Sequence, residues 1–409
     1  MKIIDYFEDA AEIERIVSLG SQRFPELSDV VASIIDEVRK DGDTALFKFT
    51  EKFDDFQLNK QNLTVSSKEI EDSLKKVDEK FFKALKHAQK NIKKFHEKQF
   101  EKVNLSWDEE IESGVLVGER VNPIDSVGCY VPGGRASYPS TVLMNCIPAK
   151  VAGVERIVVV SPPPISPEVR AACSLVGVDE LYCVGGAQAI GALAWGTESI
   201  QSVSKIVGPG NKYVMAAKTL VYGKVDIDMS AGPSEIAIIA DETANPEFIT
   251  ADLLAQAEHD PDARCILVTT EKNLPRKVDA DGKQFTAITV DSIDRAIEVV
   301  DGLAPEHLEI MTRNAKDVAK KIKNAGAIFV GHYSPVAAGD YASGGNHVLP
   351  TAGSARYASP LSVRDFLKTT QITRIEKEGL ENLKETIETL AEAEGLVKHK
   401  ESISVRFKD

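Results

Sequence analysis

Three stretches of the chain set histidine beside groups that bind metals or move protons: Gln256-Ala257-Glu258-His259-Asp260, Pro305-Glu306-His307-Leu308 and Gly339-Asp340-Tyr341-Ala342-Ser343-Gly344-Gly345-Asn346-His347. The 409 residues hold only seven histidines, so three in such company point to a metal-assisted active site. Imidazole and carboxylate are the usual zinc ligands, and both exchange protons near neutral pH. Gln256 and His259 are three apart. On a helix they share a face and could offer an amide oxygen and an imidazole nitrogen to one ion; the plainer alternative is a polar helix end. Asp340 sits among glycine and small residues, either in a loop that folds close to a ligand or as a turn aspartate bonding its own backbone. Glu306 and His307 are adjacent, so they diverge on a regular strand or helix. Pro305 predicts a bent backbone that aims both at one substrate; the alternative is a first helical turn with Glu306 against the dipole.

The elements that must position these groups follow from periodicity. From Ala10 to about Lys102, apolar positions recur at helical spacing, with Phe82, Leu85, Ile92 and Phe95 on one face. From Ser126 the chain alternates short apolar strands with helices, and its glycine-rich turns follow strand ends: Pro132-Gly133-Gly134, Gly185-Gly186 and Gly208-Pro209-Gly210. The alternation resumes at 236–240, 265–269, 287–290 and 327–330. Such alternation predicts parallel sheets with right-handed crossovers, and the carboxyl edges of such sheets bind ligands. The predicted fold is α/β: two Rossmann-like parallel-sheet domains with small helical N- and C-terminal extensions. The expected divisions are a helical arm over 1–24, a first α/β domain over 25–120 plus 233–374, a second over 121–232, and a C-terminal arm over 375–409 that packs on a partner subunit. That arm carries an amphipathic helix with Leu380, Leu383, Ile387 and Leu390 on one side.

Composition narrows the function classes. A net charge of -14 argues against a general nucleic-acid binder, which needs a basic surface. No run is apolar enough for a membrane span, and the N-terminus does not open a signal peptide. Cys129, Cys146, Cys173, Cys183 and Cys265 lie in apolar surroundings without CxxC spacing and read as buried, reduced thiols. A cytoplasmic protein is expected.

Gly208-Pro209-Gly210-Asn211 opens a helix whose N–H groups could meet an anion, although it is not the G-x-G-x-x-G fingerprint. Taken with Tyr130, Val184-Gly185-Gly186-Ala187-Gln188-Ala189, Ala231-Gly232-Pro233-Ser234-Glu235 and the three histidine stretches, in this order from about Val121 to His399, the chain strongly resembles histidinol dehydrogenase. The N-terminal hundred residues fit more loosely, and the region from Leu274 to Ile288 is shorter than the family's pattern. The resemblance implies a homodimer that makes histidine from histidinol with one zinc per subunit and two molecules of NAD. It implies zinc ligands at Gln256, His259 and Asp340, completed by His399 of the partner subunit. It implies Glu306 and His307 as the catalytic pair, and Tyr130, Gln188 and Asn211 as NAD contacts. Substrate contacts are implied at Ser234 and Glu394, alongside the metal ligands and the catalytic pair. His347 is expected to be structural.

Oxidising an alcohol to a carboxylate takes two hydride transfers and one water. An imidazole suits removal of the alcohol proton, which assigns His307, and Glu306 is left to activate water. The competing readings are a zinc hydrolase using Glu306 as base and a small-molecule binder that keeps the fold. Release of NADH from histidinol separates the dehydrogenase from both.

Overall fold

The computed structural model describes residues 1–18, 25–133, 137–229 and 232–408. Residues 19–24 of the expected N-terminal arm, Gly134 of the first glycine turn and Ala231 before Gly232 lie outside the described residues. The chain forms two compact units, Met1–Phe100 with Ile124–Phe366, and Glu101–Pro123 with Leu367–Asp409.

The larger unit opens with a strand, β1 (Lys2–Asp5), inside the stretch expected to be a helical arm. Four residues with Ile4 alone buried are too short to show a period. Then come α1 (Ala10–Ser18), α2 (Pro25–Asp41), α3 (Asp43–Asp54), α4 (Lys60–Leu63), α5 (Ser67–Asp72) and α6 (Glu79–Phe100), as the helical spacing predicts. Strands β2 (Ser106–Glu112) and β3 (Val115–Pro123) belong to the smaller unit.

The first parallel sheet is built from β4 (Ser126–Tyr130), α7 (Pro139–Ala152), β5 (Arg156–Ser161), α8 (Pro167–Val176), β6 (Glu180–Cys183), α9 (Gly186–Trp195), β7 (Lys205–Val207), α10 (Lys212–Val221) and β8 (Asp226–Ile227). Its strand order is β6-β5-β4-β7-β8, every pairing is parallel, and β4 is buried throughout, as a strand covered by helices on both faces must be.

The second is built from β9 (Glu235–Ala240), α11 (Pro246–Ala257), β10 (Arg264–Thr269), β11 (Phe285–Thr289), α12 (Ile293–Leu303), β12 (His307–Met311), α13 (Ala315–Ala319), β13 (Ala327–Val330) and α14 (Val336–Tyr341). Its order is β1-β11-β10-β9-β12-β13, all parallel. Apart from β1, both sheets follow one order, each turning back at its first strand, between β4 and β7 and between β9 and β12. Alternate residues of β9 feed two cores: Ala237 and Ile239 pack with α1 and α12 residues, while Ile236 and Ile238 pack with Ile249 and Leu253 of α11. Between β10 and β11 the chain forms a 3-10 turn at Leu274–Arg276.

The smaller unit is an antiparallel sheet in the order β14-β3-β2, with β14 spanning Leu367–Ile375. Two helices follow it, α15 (Lys377–Ala393) and α16 (Val397–Ser404). The amphipathic helix expected in the C-terminal arm is α15.

Candidate active site

The chain enters β12 abruptly. Ala304 ends α12 in the left-handed region at φ 48, and Pro305 follows. Glu306 and His307 then stand at the start of a buried strand, not in a helical turn. Adjacent strand residues face opposite ways, yet both lean on one residue of β9. The Glu235 N–H donates to Glu306 Oε2 at 2.9 Å, and His307 Nδ1 lies 3.0 Å from the Glu235 carbonyl. A carbonyl only accepts, so Nδ1 carries the proton and Nε2 is left as the working atom. Nε2 is buried without a hydrogen-bond partner and sits 3.7 Å from Asp340 Oδ1.

Burial raises the Glu306 carboxyl to about 7, against the pull of His307. Burial works the other way on His307, but the Glu306 and Asp340 carboxylates reverse it and raise the imidazole to about 9. Asp340 is held below its usual range despite burial, chiefly by His307 and further by His347 and His259.

Asp340 belongs to the short helix α14 where a loop was expected, and α14 touches α11. Gln256 occupies the last turn of α11 and is buried, with neither amide atom partnered. His259 lies just past the helix, exposed, its N–H bonded to the Gln256 carbonyl at 3.3 Å. An unpaired buried polar atom costs about 1–3 kcal/mol, so two on one carboxamide mark a place where something else supplies the contact. Among the described residues no three His, Cys, Asp or Glu are grouped to hold a metal by themselves. With the carboxamide oxygen counted as a donor, Gln256, His259 and Asp340 could offer one ion the mixed oxygen and nitrogen donors that zinc accepts. Ser234 precedes Glu235 directly, and its carbonyl accepts the Arg264 N–H at 3.0 Å.

A cavity of about 540 Å³ opens on this side, lined among others by His307, Phe329, Ser343, Asp340 and His347. His347, expected to be structural, lines it together with His307. Its Nδ1 lies 3.0 Å from the Asp340 carbonyl and its Nε2 3.4 Å from Thr141 Oγ1 at the start of α7.

On the other sheet, Tyr130, Gln188 and Asn211 gather at the carboxyl rim beside the β4/β7 switch point. The Gly186 N–H donates to the Tyr130 hydroxyl at 3.1 Å, and burial pushes that phenol up to about 12. Gln188 is buried in the first turn of α9 with its Oε1 unpartnered. Asn211 caps α10, its side-chain oxygen accepting the Tyr213 and Val214 N–H groups at 3.0 and 3.2 Å. Gly208 adopts φ 111 with its backbone against the Tyr130 carbonyl, and a Cβ there would fall 2.2 Å from that oxygen. Both of its backbone groups are held: its N–H by Asp228 at 2.7 Å and its carbonyl by Lys218 Nζ at 2.9 Å. Lys218 and Asp228 form a buried ion pair.

Glu394, at the end of α15, and His399, within α16, are exposed residues of the smaller unit. The larger unit by itself assembles the remaining candidates on two rims, the amino rim of the six-stranded sheet and the carboxyl rim of the five-stranded one. The class these features define is an α/β protein with a buried acid–imidazole pair on one sheet and a glycine-rich carboxyl rim on the other.

Known proteins agree. The histidinol dehydrogenase family model matches residues 19–407. Histidinol dehydrogenase of Clostridium acetobutylicum is 50% identical, with 94% of this chain and 93% of that protein covered. The enzyme of Methanocaldococcus jannaschii is 46% identical, with 97% and 96% covered. A crystal structure of histidinol dehydrogenase from Elizabethkingia anophelis superposes with a TM-score of 0.91 at 39% identity, covering 99% of this chain and 98% of that one. The chain belongs to the histidinol dehydrogenase family, the oxidoreductases of the final step of histidine biosynthesis. Membership sets aside the hydrolase and binder readings. Among the described residues no helix is long and apolar enough to cross a membrane.

Proposed function

We propose that this chain oxidises L-histidinol to L-histidine through histidinal, with His307 and Glu306 as its proton-handling groups. The observation that carries the reading is the buried Glu306–His307 pair, fixed on Glu235 and set beside Asp340, with the Gln256 carboxamide left buried and unpartnered at the end of α11. When bound, zinc on Gln256, His259, Asp340 and His399 of the partner subunit would anchor the substrate's nitrogens, and NAD would take the hydride at each oxidation.

His307 Nε2, in its neutral form, removes the hydroxyl proton as hydride leaves the substrate carbon. Turnover therefore rises with pH toward the raised value of the imidazole, while the Glu235 carbonyl keeps the neutral ring in the required tautomer. Glu306, raised to about 7 by burial, can take a proton from the water that adds to the aldehyde and hold it there. His307 assists that step and then the second oxidation. Ser234 and Glu394 are assigned to the substrate, and Tyr130, Gln188 and Asn211 to NAD. The unpartnered Gln188 Oε1 supports the last group, since a buried acceptor awaits a donor.

The assembly is a homodimer with composite sites, in a cytoplasmic setting. Leu390, Leu396, Val397 and Val405, which flank Glu394 and His399 in sequence, are exposed apolar side chains that a second copy would cover.

The test is absorbance of NADH formed from histidinol by the metal-loaded protein, which should reach two NADH per histidinol. One NADH per substrate, or turnover that survives removal of the metal, would overturn the scheme. Histidinol oxidation by a folded His399→Ala protein at the wild-type rate would overturn the composite site.

A further inference from the structure

Both members of the proton-handling pair lean on the backbone of one residue, so whatever fixes Glu235 also fixes them. Its N–H donates to Glu306 Oε2 at 2.9 Å, and its carbonyl lies 3.0 Å from His307 Nδ1. Glu235 opens β9, and the chain reaches it through Gly232-Pro233-Ser234, which belong to no helix or strand. A strand end entered from a loop is among the first parts of a sheet to open.

One residue ties this end down. Arg264 opens the neighbouring strand β10 and stands opposite Glu235 in the parallel register. Its backbone N–H donates to the Ser234 carbonyl at 3.0 Å. Its Nη1 donates to Glu235 Oε1 at 3.0 Å and its Nη2 to the Ile16 carbonyl of α1 at 2.6 Å. Ile13 and Ile16 of α1 share a core with Ala237 and Ile239 of β9, so the far end of this tie is itself packed. The Glu235 side chain is 8% exposed, and its carboxylate depends on the partner it has. Arg264 and Glu235 line a second cavity, of about 560 Å³, that has none of its described lining residues in common with the cavity at His307.

We propose that Arg264 is a positioning residue: from outside the catalytic cavity, its side chain holds the Glu235 backbone where it aims Glu306 and His307. The inference rests on the histidinol reading above. A guanidinium suits the work because its rigid fork sends two N–H groups to two partners at once. Lysine at 264 keeps a charge and a donor opposite Glu235, whereas methionine keeps the reach and loses both bonds. Neither change touches a proposed metal ligand or NAD contact.

The test is NADH formation from histidinol by the full-length, zinc-loaded protein, with the rate scaled to bound zinc. In Arg264→Met, kcat is expected to fall about 100-fold, the usual result of displacing a catalytic group by about 1 Å. The KM values for histidinol and NAD should stay within about threefold of wild type, because the substrate and cofactor contacts remain. Arg264→Lys should recover about tenfold or more of the lost kcat. A role in bulk stability alone would lower the yield of folded protein and leave kcat per bound zinc unchanged. Should Arg264→Met not fold, because it strands a buried carboxylate, Arg264→Met combined with Glu235→Met buries no charge and takes its place with the same expected loss. Wild-type kcat per bound zinc in the folded methionine variant, single or double, would overturn the proposal, as would a lysine variant no faster than Arg264→Met. A wild-type chain that forms no NADH from histidinol would instead remove the parent reading, and the role of Arg264 with it.

Discussion

The two parallel sheets share a strand order but work at opposite rims, and their rims differ in how completely they are satisfied. At the carboxyl rim of the five-stranded sheet, Gly208 has its N–H held by Asp228 and its carbonyl by Lys218. Gly186 is bonded to Tyr130, and Asn211 caps its own helix. At the amino rim of the six-stranded sheet, His307 Nε2 and both amide atoms of Gln256 are buried without partners, and two carboxyls sit well above their ordinary range. The first rim has its backbone fixed in advance, with Gln188 Oε1 a side-chain acceptor left open. The second holds polar atoms in a costly state, which persists where a ligand or ion completes the set.

The comparison breaks most visibly at His307. Replacing it with leucine should lower kcat for histidinol by about 10²–10⁴-fold, the usual reach of a general base. NAD binding, followed by fluorescence or calorimetry, should stay unchanged because the other rim is untouched. Loss of NAD binding in that variant would mean the two rims are one device. Lys218→Met probes the first rim. It strands Asp228 in the interior, where removing one member of a buried pair costs about 3–5 kcal/mol. Chemical denaturation should report that loss, with weakened NAD binding and His307 chemistry intact in the protein that remains folded.

Gln256→Leu should act in the opposite sense. It removes two unpartnered buried atoms, so the metal-free protein should gain about 1–3 kcal/mol by the same denaturation measurement, while zinc affinity collapses. A destabilised metal-free Gln256→Leu protein would show that the carboxamide is satisfied without metal. Stability and function would then no longer pull apart at this rim.

How far the sequence revealed these rims follows from the same contrast. Most of the first sheet's strands were legible because they are β-branched or apolar runs closed by glycine or proline, such as Lys205–Val207 before Gly208 or Arg156–Ser161 before Pro162. His307–Met311 was not, since Pro305 and two ionisable residues mask a strand whose five positions are all buried. Asp340 sat in a stretch rich in glycine and alanine, too short to show a period; its helix α14 packs Val336 and Gly339 against Phe329 of β13. The residue types announced the chemistry of Glu306, His307 and the Gln256–His259 pair. Their common anchor on the Glu235 backbone had no sequence signal, because a main-chain contact leaves no side-chain pattern. The burial of Glu309 in β12 was hidden too, because a lone acid in an apolar run reads as surface.

The smallest expected effect is a pH slope belonging to one rim only. Glu306 is raised from 4.5 to about 7, Glu309 from 4.5 to about 8, and His307 from 6.5 to about 9. A group whose folded pKa is raised stabilises the fold fully below its unfolded pKa, and that contribution is lost as pH rises through the folded value. All three signs agree, so the metal-free protein should lose stability steadily between about pH 5 and pH 9. The Tyr130 phenol, at about 12, titrates above that window, so it adds no slope there. Glu306→Gln removes one titration outright and also the main carboxylate raising His307. Its melting temperature should therefore fall less across the window than the wild type's, a difference of a few degrees. Equal slopes for the two proteins would place the proton-linked strain somewhere other than the catalytic pair.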